Sequence, residues 1–482
     1  MVGGGMRLGA VAIEPLEEGE PYLSVPDAIV MDSLKARADP ELGRALIELR
    51  TSLSPEGLWD DNMDSLLVLL VAESFTRVEQ SRWAPYLRLL PTPRDVKASH
   101  PLFFDDAKID LLEGSDVQAA SRLFRDSEVA AYERKFGDAS AGGRDLKEVL
   151  GEDWITLERY LWAMAILHGR AISWDGRKHL VPLLDLVNND QGLASRAPQE
   201  TVLDSSGYAV TKATRSFDKK KQVFESYGHV NHVLFVYHGF TLGREHRRDC
   251  VRIDAERAPA GREHWEMLSR LQKTFPDGRP LFCISLSKHG RYDFVSYVRI
   301  MAGLPPYPPA TTTAAVSNNS SASLVGPDVA VDQKRVVHER WNNLHRDDPE
   351  GLRLVVEFLE ARLKGYPRSS VRGGGGSGRM QCSGDREDNG ACGGEDLGGS
   401  RKDVPEATSA TSEQVIQVFL DSEQHILQEL LEFLQGAVPP FLIPVDESND
   451  SDTPERTRSS EEGTPHHGTN VDGGNRMRQT LK

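Results

Sequence analysis

Cysteine is scarce in this chain. Its 482 residues hold four, Cys250, Cys283, Cys382 and Cys392. The first two stand alone in apolar, strand-like sequence and the other two in glycine-rich sequence, with no paired ligand spacing. This excludes a cysteine-rich secreted scaffold and a zinc-ribbon type of motif. It leads to the expectation of a reducing compartment without a disulfide framework. Long apolar runs are missing too, and no stretch reaches the ~18 residues of a membrane span. The opening MVGGGMRLGAVAIEP has no continuous apolar core, so no secretory signal is expected in it. A strand-like pattern starts almost at once, and the natural chain is therefore expected to begin further upstream. That leaves a plastid address open beside cytoplasm or nucleus.

Positive charge is in deficit. Lys and Arg number 57 against 73 Asp and Glu, a net charge of −16. A basic nucleic-acid surface spread over the whole chain is excluded, and no direct nucleic-acid partner is expected. Part of the acid lies in the polar tail DESNDSDTPERTRSSEEG. The remainder is compatible with a basic protein substrate, although a solvated surface explains it more simply. Familiar catalytic signatures are absent as well: no G-x-G-x-x-G after a strand, no P-loop, no H-E-x-x-H and no G-x-S-x-G. His168, His179, His229, His232 and His238 lie close in sequence, but no carboxylate or thiolate joins them at ligand spacing. They read as hydrogen-bonding histidines, and no metal is expected.

What is present suffices for a sizeable core, since 39% of residues are hydrophobic. The length suggests two or three domains. Three stretches are too polar or too rich in glycine to offset chain ordering: 308–328, 367–411 and the tail from about 441 to 482. The first 30 residues read as two short strands, AVAIEPL and PYLSVP, joined by a turn. Helical spacing of apolar residues predicts helices over 60–76, 116–136 and 156–171. YAVTKATRSF and KQVFESYG read as strands, and HVNHVLFVYHGF as a helix. Residues 260–301 look helical, and the amphipathic stretches 352–366 and 412–435 are expected to pair. The C-terminal half therefore reads as all-helical, after a first half that mixes short strands with a helical insert. The fold class is α+β. The boundaries are 1–245, with the insert at about 35–165, and 246–440.

Two stretches carry candidate chemistry. In RKHLVPLLDLVNNDQG an apolar run ends in Asp185, Asn188 and Asn189. The two amides can each donate and accept. In VFESYGHVNHVLFVYHGF, Tyr227 precedes Gly228, and Gly239 separates His238 from Phe240. Each fragment alone is ordinary: a polar turn, a strand end, a helix terminus.

Taken together and in order, the fragments resemble the SET-domain methyltransferases of the Rubisco large-subunit methyltransferase type. RLGAVAIEPLEEGEPYLSVP looks like the opening of that domain, and WAPYLRLLPTP with HPLFFDDAKIDLLEGS looks like its helical insert. LWAMAILHGRAIS, LVPLLDLVNND and VFESYGHVNHVLFVYHGF resemble its three central segments. The two late amphipathic stretches are similar to its helical substrate-binding domain. The resemblance covers residues 6–240 well and 250–440 weakly.

The resemblance implies a transferase that uses S-adenosylmethionine and acts on a protein substrate, most simply a lysine, as a monomer. It implies that Met6, Arg7, Leu8, Gly9, Arg170, Asn188, Asn189, Tyr227 and Phe240 bind the cofactor. Arg170, Asp185 and His238 would face the substrate, and Tyr227 would line the transfer channel as the catalytic residue. Four departures stand out. Asn189 replaces the family's histidine, and Arg7-Leu8-Gly9 keeps only the second of two glycines. His238 stands where lysine-specific members commonly have tyrosine, and the run from Tyr227 to Asn231 is about one residue short. A histidine target, known in one member of the group, and a non-catalytic SET-like binding module remain alternatives.

Methyl transfer from a sulfonium is an in-line displacement, so a target lysine must first shed its proton. Its ordinary pKa is about 10.4. A neighbouring sulfonium and an apolar channel both disfavour the ammonium, so a dedicated base is not strictly required.

Overall fold

The computed structural model describes residues 8–137, 143–190, 201–246, 249–254, 273–274, 280–285, 294–295, 297–299, 302, 349–367 and 411–435. Met1–Val438 clusters as one unit and Pro439–Lys482 as another, the latter outside the described residues.

The strands in chain order are β1 (Ala10–Val11), β2 (Pro21–Pro26), β3 (Met31–Asp32), β4 (Ile172–Trp174), β5 (Arg177–Leu180), β6 (Asn188–Asn189), β7 (Thr201–Leu203), β8 (Tyr208–Lys212), β9 (Gln222–Glu225), β10 (Cys250–Asp254), β11 (Lys273–Thr274) and β12 (Pro280–Ser285). They form small sheets in the orders β1-β9-β6, β2-β8-β7, β3-β5-β4 and β10-β12-β11. Alternation decides which face each strand buries: in β8, Ala209 and Thr211 point inward and their neighbours outward. The two N-terminal strands form as the sequence predicts but do not pair with each other. β1 lies antiparallel to β9 and β2 antiparallel to β8. Between them Leu16 bridges to Phe217, so the connecting turn carries the chain from one sheet to the next.

Helices fill the chain between β3 and β4. Both strands flank β5, through Met31 opposite Leu180 and Ile172 opposite His179, so the helical stretch leaves and re-enters one sheet. The helix Leu157–Arg170 is the centre of the larger core. Thr156 caps it, its hydroxyl accepting the Arg159 N–H, and Tyr160 through Leu167 are all buried. Shaving a side chain such as Leu167 to alanine here would destabilise by about 2–5 kcal/mol. The stretch 60–76 is helical over Met63–Val71 and finishes in a wider π-helical turn, Ala72–Thr76.

A second core lies under the C-terminal helices. Pro349–Gly365 and Ser412–Gln435 pack together, Val355 and Leu359 meeting a buried row that includes Phe419, Leu420 and Leu427. Phe235 and Val236 from the central segment join the same cluster, and the Phe235 and Phe419 rings stack at 4.8 Å.

Two expectations need correction. The C-terminal half is not all-helical, because β10, β11 and β12 form an antiparallel sheet within it. Val251, Ile253 and Ile284 are buried there, a short alternating pattern that helical periodicity hides. Cysteine is also not free throughout: Cys250 and Cys283 are joined by a disulfide. The β10–β12 pairing brings their Cα atoms to 5.4 Å although they lie 33 residues apart in sequence. His232 sits beside them, its ring nitrogen and both sulfurs within 4.8 Å of one another. The segments 308–328 and 441–482 lie outside the described residues, as does 367–411 apart from Pro367 and Thr411, and so does most of the helix-like stretch 260–301.

Candidate active site

The site is assembled where β6, β9 and the end of the helix Leu157–Arg170 converge. β6 runs parallel to β9, with Asn188 opposite Phe224 and Asn189 opposite Glu225. Asn189 is buried, and its Oδ1 accepts the backbone N–H of Tyr227 at 3.2 Å. The Tyr227 hydroxyl donates to the carbonyl of Val187 at 2.8 Å. Tyr227 is thus held at both ends by the Asn-Asn turn. Burial and the nearby carboxylate of Glu225 push its phenol upward, with Arg170 opposing.

Asn188 reaches the N-terminal segment, its Nδ2 donating to the Leu8 carbonyl at 2.9 Å. Gly9 follows, and a larger residue there would have to push aside the ends of two side chains. A Cβ there would lie 2.4 Å from Gln222 Nε2 and 2.7 Å from Asn188 Nδ2. Leu8, Gly9, Asn188 and Asn189 therefore form one cradle. Met6 and Arg7 lie outside the described residues.

Arg170, the last residue of its helix, donates to the Asp185 backbone carbonyl at 2.7 Å and faces its Oδ2 at 3.4 Å. Tyr86 donates to the same Oδ2 at 2.9 Å. Burial raises the Asp185 carboxyl while Arg170 and Tyr86 pull it down, and burial prevails. Its Oδ1 is buried with no partner from another residue among the described residues. Asp185 sits in a tight turn preceded by Leu183, whose φ of +73° is strained for a leucine.

The aromatic side of the site comes from the π-helical turn Leu234–His238 and its terminus. The His238 ring stacks on Tyr227 at 5.7 Å, and the Phe240 ring meets Tyr227 edge-on at 6.4 Å. Gly239 between them has φ +73°, and a Cβ would press on His100 at 3.1 Å. His100 Nδ1 accepts the Leu102 N–H, so Nε2 carries the proton and donates to the Tyr237 carbonyl at 3.2 Å. Burial drives His100 down to about 4 and His238 well below the usual imidazole range, so both are neutral at pH 7.

The structure thus brings Leu8, Gly9, Arg170, Asp185, Asn188, Asn189, Tyr227, His238 and Phe240 to one place. Sequence reading passed over Tyr86, His100, Tyr22 and Glu225. Tyr86 and His100 lie in the helical insert, far away in sequence. Glu225 had a local signal, a charged residue closing a strand two positions before Tyr227.

The group implied by the resemblance can be tested against this cradle. Asn188 beside the Leu8–Gly9 backbone and the buried Asn189 offer amide donors and acceptors that suit the amino-acid end of a sulfonium nucleoside.

No family model matches the chain. A chloroplastic ribulose-1,5 bisphosphate carboxylase/oxygenase large subunit N-methyltransferase of Pisum sativum is 24% identical over 205 residues, which is 42% of this chain but only 37% of that relative's length. Among solved structures, Rubisco LSMT bound to AdoMet is similar with a TM-score of 0.52 at 17% identity, over 89% of this chain and 85% of that one. The SET domain of LSMT bound to lysine and AdoHcy gives 0.53 at 16% identity, over 89% and 84%. Rubisco LSMT bound to sinefungin and monomethyllysine gives 0.52 at 16%, over 89% and 85%. The chain therefore has the SET-domain fold of the Rubisco large-subunit methyltransferase structures.

Proposed function

We propose that this chain is an S-adenosylmethionine-dependent protein methyltransferase acting on a lysine side chain. The observation that carries the reading is the convergence of Tyr227, the Asn188–Asn189 turn and the Arg170–Asp185 pair around one cradle. Solved neighbours of the same fold are bound to AdoMet, to AdoHcy with lysine, and to monomethyllysine, which supports both the cofactor and the amine.

The cofactor supplies an electrophilic methyl on a sulfonium. Asn188, Asn189 and the Leu8–Gly9 backbone would hold its amino-acid end, with Arg170 beside them. Tyr227, fixed through Asn189 and Val187, would line the path along which the target nitrogen approaches. Phe240 and the neutral His238 would close the far side with aromatic surface and exclude water. A neutral imidazole there repels no incoming ammonium.

Isothermal titration of AdoHcy tests the cofactor site. Transfer from methyl-labelled AdoMet to a protein mixture, followed by acid hydrolysis, tests the target. Label in methyllysine supports the reading, and label confined to methylhistidine replaces it with the histidine alternative. Failure to bind AdoHcy leaves the non-catalytic module.

A further inference from the structure

One buried acid in the site has no part in that scheme. Glu225 ends β9 and is 7% exposed. It lies opposite Asn189 in the β6–β9 pairing, and Asn189 in turn accepts the Tyr227 N–H. Its carboxylate is the leading charge acting on the Tyr227 phenol. Tyr22 of β2 donates to Glu225 Oε2 at 3.4 Å.

The charges around it are few. Asp185 faces it from the turn before β6, with Arg170 paired to Asp185, and Tyr227 lies on its own segment. Its neighbours in the sheet, β1 and β6, bring Ala10, Val11, Asn188 and Asn189, and just past β6 Asp190, paired with Arg215, donates its N–H to the Glu225 carbonyl at 3.2 Å. Two carboxyl groups therefore share a buried region with one guanidinium.

We propose that Glu225 is the carboxylate that receives the target ammonium and takes its proton before methyl transfer. The proposal rests on the methyltransferase reading of the site and names its substrate as a protonated primary amine. Burial, reinforced by Asp185, raises the Glu225 carboxyl to about 8. In the empty site it is therefore largely neutral at pH 7. An entering ammonium favours the carboxylate, so binding releases a proton to solvent. Once the site is closed over the sulfonium, the ammonium is disfavoured, and its proton passes to the Glu225 carboxylate. The products are a neutral amine and a carboxylic acid. The nitrogen lone pair then forms the new N–C bond as the S–C bond breaks, and that bonding pair stays on sulfur. A carboxyl near the working pH is well matched to an amine of lowered pKa.

The test uses the full chain, saturated first with AdoHcy and then titrated with L-lysine at pH 7 in two buffers of different ionisation enthalpy. Wild type is expected to release up to one proton per lysine, and its lysine affinity should rise as pH increases toward 8. Glu225→Gln keeps the neutral shape and the Tyr22 contact. It is expected to bind AdoHcy normally, to bind lysine at least 10-fold more weakly and to release no proton. Equal lysine affinity and an equal proton count in the variant would overturn the proposal. So would a wild-type AdoHcy complex that takes up no lysine, or one whose lysine affinity is flat with pH, a readout that needs no variant. Absence of AdoHcy binding in wild type instead overturns the cofactor site itself.

Discussion

Asn189 fixes the backbone of Tyr227: its side-chain oxygen takes the Tyr227 N–H at 3.2 Å, while the Tyr227 hydroxyl returns to the Val187 carbonyl at 2.8 Å, two residues before Asn189. The ring is therefore clamped to the turn that carries Asn188 and Asn189. Tyr227→Phe keeps the ring and its N–H bond and loses only the hydroxyl. Turnover should fall roughly 10-fold or more if the hydroxyl contributes ~1.4 kcal/mol in the transition state alone. AdoHcy affinity should stay nearly intact. The lost bond to Val187 should destabilise by about 1 kcal/mol, read by denaturant unfolding. Full methyl transfer in this variant would remove Tyr227 from the catalytic role.

Gly9 and Asn188 give a paired prediction. Gly9→Ala places a methyl group where Gln222 and Asn188 now sit, so the Asn188 amide must move from the Leu8 carbonyl. Asn188→Ala removes that amide outright. Both should weaken AdoHcy binding in titration, the second by about 1.5–3 kcal/mol if one charge-assisted hydrogen bond is lost. Normal affinity in both would place the cofactor elsewhere.

Much of this site is legible in sequence because its key residues sit at the ends of strongly patterned segments. Asp185 to Asn189 close an apolar run, and Tyr227 to Phe240 span a strand end and a helical turn. Local pattern cannot give partners. It shows β1 and β2 but not that they pair with β9 and β8, because register depends on chain far downstream. Tyr86 becomes part of the site only when the insert folds back to bring its hydroxyl to Asp185, 99 residues later in sequence. The Cys250–Cys283 bond is hidden for the same reason. Glu225 is the instructive miss, a lone charge at the end of an apolar strand opposite Asn189.

Asn231 ties the central segment to the C-terminal helix. Its N–H and Nδ2 donate to the two carboxylate oxygens of Asp249 at 2.9 and 2.5 Å, and its Oδ1 accepts the Leu242 N–H at 2.9 Å. Ser422, from the helix Ser412–Gln435, donates to the same Asp249 at 3.0 Å. All three polar side chains are buried. Asn231→Ala removes the side-chain amide bond to Asp249 while the backbone N–H and Ser422 remain, a change expected to cost about 1–3 kcal/mol. The denaturation midpoint should drop accordingly, whereas an unchanged midpoint would show that the network contributes little to the fold.

Beside Ser422, Glu423 makes the stability of this junction depend on pH. It is fully inside the protein, where Tyr366 donates to its Oε2 at 3.0 Å, Ser115 and Arg362 pull its pKa down and Asp249 pushes it up. Burial is the larger influence and raises it to about 7, against 4.5 in the unfolded chain. The folded protein therefore holds a proton on Glu423 that the unfolded chain has released between those two values. The stabilisation is fully present below about pH 4.5 and is lost as pH rises through 7, an effect on the order of 3 kcal/mol. Other buried acids, Asp64, Glu128 and Asp249 among them, are raised as well and slope the same way. The informative quantity is thus the difference between wild type and Glu423→Gln, which keeps the shape of the neutral acid but has no proton to lose. Measured by urea unfolding, the variant should gain on wild type as pH is taken from 5 to 8. Parallel stability curves for the two proteins over that range would show that Glu423 is already ionised in the fold, with Arg362 rather than burial setting its charge.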